Sequence, residues 1–237
     1  MQLFYTPDIA PHLKSFVLSE EESRHAVRVL RMEAGQQVQL VDGRGGLYTA
    51  VIVDAHPKRS VLEILRVETR YGTRPYYLHV AIAPTKQIER IEWFLEKATE
   101  VGIDEITPII CERSERKEVK VERLNKIMAA AMKQSLKAYI PRMNEPLGFG
   151  SFLDQRTEGQ RFIAHCGDGD KQYLSEIIEP AGRYTVLVGP EGDFSGAEVD
   201  AAQRAGFFPV TFGASRLRTE TAALVACLEA AIRNRRY

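Results

Sequence analysis

The strongest constraint in this 237-residue sequence is a strict alternation of strand-like and helix-like patterns from about residue 75 onward. Apolar runs of strand length fall at about 78–83, 105–110, 161–165, 184–188 and 208–212. Between and after them, helical patterns fall at about 86–101, 121–138, 171–179, 196–206 and 219–235. In the first helix Ile88, Ile91, Leu95 and Ala98 line one face, and Gly102 supplies the stop. Strands separated by helices are joined by crossovers, so these units predict an α/β fold with a parallel sheet and helices on both faces. Ligands of such sheets bind beyond the carboxyl ends of the strands, in the loops leading into helices.

The first 70 residues follow a different pattern. Segments 37–42, 47–54 and 60–67 are rich in Val, Ile, Leu and Tyr, and Asp42-Gly43-Arg44-Gly45-Gly46 reads as a hairpin turn. One helix interrupts them, opened by a Ser19-Glu20-Glu21-Glu22 capping box and closed by Gly35. Residues 1–70 are therefore expected to form a small, mostly β barrel-like module, with 70–75 as linker and 74–237 as a second domain. Cys111, Cys166 and Cys227 are far apart and show no CxxC spacing. They argue against a disulfide framework or a zinc ribbon, fit a reducing cytoplasm, and lead us to expect no metal. No apolar run approaches the roughly 18–20 residues of a membrane span, and the start lacks the marks of a secretory signal, so a cytoplasmic protein without membrane contact is expected.

Three predicted strand ends carry glycine-rich turns: Ala164-His165-Cys166-Gly167-Asp168-Gly169, Leu187-Val188-Gly189-Pro190-Glu191-Gly192-Asp193, and Phe212-Gly213-Ala214-Ser215-Arg216-Leu217-Arg218-Thr219-Glu220-Thr221. In the second, Pro190 fixes φ, and the flanking glycines permit close approach of a ligand, although a plain connecting turn would look the same. Ser195-Gly196-Ala197-Glu198 then forms a capping box. In the third, a threonine N-cap and a helix-start glutamate explain Thr219, Glu220 and Thr221. They leave unexplained why Arg216 and Arg218 sit at a helix N-terminus, where the dipole disfavours cations. An anionic substrate would offset that cost. Gly167-Asp168-Gly169 is too short for a dinucleotide fingerprint, and no Walker A, HExxH or GxSxG sequence is present.

Together these loops resemble the ribosomal RNA small-subunit uridine-N3 methyltransferases of the SPOUT superfamily. The most specific parts are Val188-Gly189-Pro190-Glu191-Gly192 and Leu217-Arg218-Thr219-Glu220-Thr221-Ala222. Support comes from His25-Ala26-Val27-Arg28-Val29-Leu30-Arg31, the 96–102 helix end and Glu112-Arg113-Ser114. The resemblance implies a SPOUT-type trefoil-knotted parallel sheet with helices on both faces, preceded by a PUA-like RNA-binding β-barrel. It implies a homodimer that uses S-adenosylmethionine to methylate uridine N3 in 16S ribosomal RNA, in the decoding region of the small subunit. By position, the resemblance assigns the cofactor to Leu187, Gly189, Pro190, Glu191 and Gly192, to Phe212, Gly213, Leu217, Arg218, Thr219 and Ala222, and to His165 nearby. The chain departs from the family at Asp193, where a glycine is frequent, at Gln2-Leu3, and at Lys133-Gln134-Ser135-Leu136-Lys137.

Methylating N3 requires removal of an imide proton and alignment of N3 with the sulfonium methyl. Arg218 is the expected catalytic cation, stabilising charge on the O2–N3–O4 system, and Glu220 is expected to orient it or to relay the proton. The target base must be unpaired or extruded. Zero net charge, 32 Lys+Arg against 32 Asp+Glu, gives no global support for a polyanion partner. Locally, residues 113–142 hold nine Lys/Arg against three Asp/Glu, and the chain ends in an Arg-rich run from Arg216 to Arg236. The expected RNA contacts are Arg24, His25, Arg28 and Arg31 on the N-terminal module, with Lys86, Arg113, Arg116 and Lys133. Two other readings fit the same residues: a ribose 2′-O-methyltransferase of the same fold, and a non-catalytic RNA-binding assembly factor.

Overall fold

A computed structural model describes residues 2–235; Arg236, at the far end of the Arg-rich run, lies outside the described residues. The chain forms two compact units, Met1–Thr73 with Met132–Ile140, and Arg74–Ala131 with Pro141–Tyr237.

In the first unit, β1 (Leu3–Tyr5), β2 (Ser15–Val17), α1 (Glu20–Arg24), β3 (Gln37–Val41), β4 (Leu47–Asp54) and β5 (Val61–Glu68) build a five-stranded sheet of order β1-β3-β4-β5-β2. All pairs are antiparallel except β1–β3. The three-residue strands β1 and β2 are too short to show a period, which is why the sequence pattern does not reveal them. Two register shifts between β4 and β5 curl the sheet. Phe4, Ile9, Leu40, Tyr48, Ile52 and Leu62 lie in the core so enclosed. Only half of the expected Ser19 capping box forms. The Ser19 hydroxyl accepts from the Glu22 N–H, but the Glu22 carboxylate binds Lys133 at 3.0 Å. The helix then widens into a π-type turn over His25–Val29. The expected 121–138 helix stops at Gln134, since Leu136 takes a positive φ of 55°. Residues 132–140 then pack into the first unit. Met132 and Ala138 cluster with Leu3, Val41 and Leu47, and Gly45 donates to the Ala138 carbonyl at 2.9 Å. A Cβ on Gly45 would stand 2.3 Å from the Tyr139 ring, so the glycine of the hairpin turn is required by this packing as well as by its φ of +97°.

The second unit contains β6 (Tyr77–Ile82), α2 (Ile88–Val101), β7 (Glu105–Ile110), α3 (Val121–Gln134) as far as Ala131, β8 (Arg142–Met143), β9 (Leu147–Gly148), α4 (Phe149–Leu153), β10 (Gln160–Ala164), β11 (Gln172–Tyr173), α5 (Leu174–Ile177), β12 (Arg183–Val188), α6 (Gly196–Arg204), β13 (Phe208–Thr211) and α7 (Thr219–Arg233). Its parallel strands run β11-β13-β10-β12-β6-β7-β8, with β9 also on β7. The expected helix over 171–179 is mostly absent. Gln172 and Tyr173 pair with Val210 and Thr211 as an edge strand, and only Leu174–Ile177 remain helical.

Strand register sets the two faces. Ile163, Leu187 and Ala81 align across β10, β12 and β6, and they pack with Phe149 and Phe152 of α4 and Ala202 of α6. Burying each large side chain of this kind contributes roughly 1.5–3 kcal/mol. Val80, Phe162 and Val186 point the opposite way by the two-residue period. Helix α7 packs on β6 and β12, and α2 packs on α7. Strand β13 lies on the far side of β10 from β12, yet the helix that follows it sits on β12. The 212–218 segment that links them runs beside the loops that leave β10 and β12, the place where the resemblance to SPOUT proteins puts the threaded chain of a trefoil-knotted sheet. Such threading breaks the usual rules of chain connection and has no signal in periodicity.

Candidate active site

Parallel register brings the three glycine-rich loops together. Ala164 pairs with Val188 on one side and with Val210 on the other, so β10, β12 and β13 end side by side. The loops leaving them enclose a cavity of about 720 Å³. Its wall includes His165, Gly189, Pro190, Glu191, Phe212, Gly213, Leu217, Arg218, Thr219 and Ala222. Among the residues expected to hold a cofactor, Leu187 and Gly192 are not on this wall. Leu187 is fully buried among the α4 and α6 side chains, because its strand register points it to that face. Gly192 instead lies over the side chain of Arg113.

Polar staples fix the loops. Asp193 accepts from the Cys166 N–H and from the Phe194 N–H, each at 2.8 Å, joining the first loop to the second. It does so at a positive φ of 63°, which explains why glycine is an easy occupant of this position. The Lys171 ammonium donates to the His165 carbonyl at 3.1 Å and to that of Gly167, closing the first loop. The Thr219 hydroxyl donates to the Gly189 carbonyl at 3.0 Å, tying the third loop to the second. The expected threonine N-cap of α7 is thereby replaced: Arg218 is the N-cap residue, without a side-chain cap bond. Gly189 packs closely on the next turn, since a Cβ there would meet the Phe194 ring at 3.0 Å and the ring would have to shift. Around the second loop, Ser195 and Glu198 complete the capping box of α6, and the Lys86 N–H donates to Glu191 at 3.0 Å.

Several wall residues are absent from the sequence expectation, notably Cys166, Lys171, Asp193 and Ser215. The visible signal was Asp193 standing in a glycine position; nothing marked Lys171. His165 is half-buried, and its Nε2 is buried with no hydrogen-bond partner among the described residues. Burial, aided by the nearby Lys171 charge, holds its pKa below the ordinary value, with Asp193 opposing. His165 is thus a neutral imidazole at neutral pH, with a ring nitrogen to offer a ligand.

Glu220 lies outside the large cavity. It is 6% exposed, its Oε2 has no hydrogen-bond partner among the described residues, and the cation it faces is Arg90, at 3.9 Å from Oε1. Arg218 is exposed and belongs to the large cavity and to a smaller pocket that contains Glu220.

The expected RNA contacts separate into two groups. Arg24, Arg28 and Arg31 are exposed, with Arg24 paired to Glu20 at 2.6 Å, and His25 is half-buried edge-on to Phe4. Arg113 donates to the Gly192 carbonyl at 2.9 Å, and Arg116 to the Lys86 carbonyl at 2.8 Å, so both brace the loops. Lys86 pairs with Glu115 at 2.8 Å and Lys133 with Glu22 at 3.0 Å.

Comparison with known proteins agrees with this geometry. An RNA methyltransferase domain family matches residues 73–230, and an RNA methyltransferase PUA domain family matches residues 18–65. A Porphyromonas gingivalis protein described as a probable rRNA-methyltransferase is 43% identical, with 96% of each chain covered and a TM-score of 0.89. The ribosomal RNA small subunit methyltransferase E of Neisseria gonorrhoeae, solved bound to S-adenosyl methionine, is 30% identical, covering 96% of this chain and 95% of that one at a TM-score of 0.86. The enzyme of the same name from Aquifex aeolicus is 28% identical over 227 residues, 94% of this chain and 95% of its own.

Proposed function

The chain belongs to the family of ribosomal RNA small-subunit methyltransferases, and from that membership we propose that it transfers a methyl group from S-adenosylmethionine to N3 of a uridine in 16S ribosomal RNA. The observation that carries this reading is the convergence of three strand-end loops on one cavity whose wall ends at Arg218.

The residues present fit the cofactor. The cavity has the size of a small-molecule site. Main-chain edges of the Gly189 and Gly213 loops can read an adenine, and Val188, Phe212, Leu217 and Ala222 supply apolar surface for its faces. The buried, unpaired His165 Nε2 is a polar group in need of a partner. When bound, S-adenosylmethionine supplies an electrophilic methyl group on a positively charged sulfur. The protein's part is then to hold the acceptor base, to lower the energy of its anion, and to take its proton. Arg218 is placed for the second task, since its cation stabilises charge spread over O2, N3 and O4. Glu220, buried and without a donor to Oε2, suits the third. Among the described residues the cation it faces is Arg90, at 3.9 Å.

The exposed arginines Arg28 and Arg31 and the Arg-rich loop supply the local positive charge for RNA. Leu228 and Ile232, 39% and 53% exposed on α7, give an apolar surface for a second copy of the chain, and sedimentation should show a dimer. The described residues include no helix long and apolar enough to cross a membrane. A cytoplasmic location beside the ribosome follows from the substrate. Mass spectrometry of nucleosides from small-subunit RNA, incubated with the protein and labelled S-adenosylmethionine, tests the reading. N3-methyluridine is expected; 2′-O-methyluridine would overturn it. A saturable calorimetric heat with S-adenosylmethionine is expected, and its absence would mark a non-catalytic binding protein.

A further inference from the structure

A second pocket, of about 550 Å³, shares Arg218 with the cofactor cavity. It lies between α2 and the start of α7, and Glu89, Arg90, Trp93, Arg218, Glu220 and Thr221 form its wall. Two features of this pocket are unfavourable in the protein alone. Glu220 is 94% buried by its 6% exposure, and its Oε2 has no hydrogen-bond partner among the described residues. Arg90, at 3.9 Å from the other oxygen, is beyond hydrogen-bond reach. Trp93 leaves 43% of its surface in solvent, although indole is among the side chains most stabilised by contact. A buried acceptor without a donor, beside an uncovered aromatic face and two cations, describes the complement of a flat, polar ring.

We propose that this pocket receives the target uracil, with Trp93 stacked on its face, the N3–H donated to the Glu220 carboxylate as it turns out of its buried position, and Arg90 and Arg218 serving its two carbonyl oxygens. The inference rests on the uridine-N3 reading given above and supplies its acceptor site. Uracil presents acceptor, donor and acceptor along O2, N3 and O4. The sequence cation, carboxylate, cation is the matching set. Cytosine presents an unprotonated N3, a lone pair that the Glu220 carboxylate would repel, so the same group selects the base and takes its proton. In the reaction the N3–H bond breaks with its proton passing to the Glu220 carboxylate and its electron pair staying on N3. That pair forms the bond to the methyl carbon as the methyl–sulfur bond breaks toward sulfur. Glu220 then returns the proton to water. The position of Arg218 on the walls of both pockets puts the developing anion beside the cation that stabilises it.

Trp93 is the only tryptophan in the chain, so its fluorescence reports this pocket alone. The full-length protein is titrated with uridine 5′-monophosphate and with cytidine 5′-monophosphate in the presence of S-adenosylhomocysteine. Saturable quenching by the uridine nucleotide is expected, at least about tenfold tighter than by cytidine, and Glu220→Gln should remove most of the difference. In the methylation assay Trp93→Ala should lower kcat/KM for RNA about 10- to 100-fold, as expected for loss of one base stack. Trp93→Phe should recover most of that, and calorimetric affinity for S-adenosylmethionine should stay within about twofold in all three variants. Equal quenching by both nucleotides, or none, would overturn the pocket assignment, as would Trp93→Ala methylating RNA at the wild-type rate. Failure of the wild-type protein to form N3-methyluridine would instead remove the underlying reading, whatever the titration shows.

Discussion

The two pockets that meet at Arg218 are walled by different materials. The cofactor cavity is formed by three loops whose main chain is pinned by Asp193, Lys171 and Thr219 through bonds to backbone groups. The second pocket is side chain, presented by the helices α2 and α7. Main-chain walls suit a cofactor that is the same in every turnover, because their donors and acceptors are fixed by the fold. Side-chain walls suit a base that must be selected among four, since one carboxylate can be set against the wrong edge. The contrast predicts where substitutions act. Changes in the second pocket should alter turnover and base choice, whereas changes in the first should alter cofactor affinity and stability together.

The largest effect is expected at the shared wall. Arg218→Ala removes the cation from the developing anion and should lower kcat about 10²–10³-fold, the range found for loss of one stabilising donor. Affinity for S-adenosylmethionine should change far less, and single-turnover kinetics with calorimetry separates the two. A loss confined to cofactor affinity would assign Arg218 to the first pocket alone and dissolve the contrast.

Next comes a change that only the main-chain cavity should feel. Gly189→Ala places a methyl 3.0 Å from the Phe194 ring and 3.2 Å from its backbone nitrogen, so the loop must give by a few tenths of an ångström. Overpacking of this kind costs about 1–3 kcal/mol. Thermal unfolding should shift downward, and affinity for S-adenosylmethionine should fall roughly tenfold by the matching displacement of the loop. An unchanged affinity would show that the Gly189 main chain is not part of the cofactor wall.

The same contrast explains what was legible in the sequence. The strands β6, β7, β10, β12 and β13 and the helices α2, α6 and α7 announce themselves through apolar spacing, and the rule of strand carboxyl ends locates the three loops. The large cavity could therefore be outlined from glycines and motif residues. Its staples could not, since Lys171 reaching the His165 carbonyl or Thr219 reaching Gly189 depends on which loops become neighbours. Leu187 shows the limit of position alone: it belongs to the motif, yet strand register turns it into the core. The second pocket was half visible. Arg218 stood out as an odd choice at a helix start and Glu220 came with the family motif beside it, but Arg90 and Trp93 read as ordinary helix-surface residues. They join Glu220 only because α2 packs on α7, 130 residues away in sequence (Arg90 to Glu220). The threading and the return of Met132–Ile140 to the first unit are likewise long-range outcomes without a local pattern.

A smaller effect is expected at Asp193. Asp193→Gly relieves a left-handed backbone that costs a non-glycine residue about 1 kcal/mol. It also deletes two bonds, each contributing about 0.5–1.5 kcal/mol net. The net loss of stability should be at most about 2 kcal/mol, while the first loop loses its tie to the second and affinity for S-adenosylmethionine falls several-fold, roughly the worth of one bond. Asp193→Asn, which keeps one acceptor and tolerates the same φ, should fall between. Tighter cofactor binding by Asp193→Gly would mean that the staple holds the cavity in the wrong shape.

The smallest effect is a pH dependence carried by His165. Burial and the Lys171 charge place its folded-state pKa below the ordinary 6.5. Above about pH 6.5 the imidazole is neutral in the folded and the unfolded chain, and it contributes no slope to stability. As pH falls below that value the unfolded chain takes up the proton first, so the unfolded state is favoured and stability declines. The decline ends once pH passes below the folded pKa, where both forms are protonated. Other groups titrate in the same range, including the buried His79, whose pKa is also lowered by burial. The informative quantity is therefore the difference in Tm between wild type and His165→Gln. That difference should be flat from pH 7 to 8 and should shift in favour of the variant below about pH 6.5, because glutamine has no proton to gain. The cofactor's positive charge would oppose protonation of a wall residue, so bound S-adenosylmethionine should lower the folded-state pKa further and carry the decline to still lower pH. A difference that moves toward the wild type on acidification would require a stabilising partner for the imidazolium, and would remove His165 from the neutral wall of the first pocket.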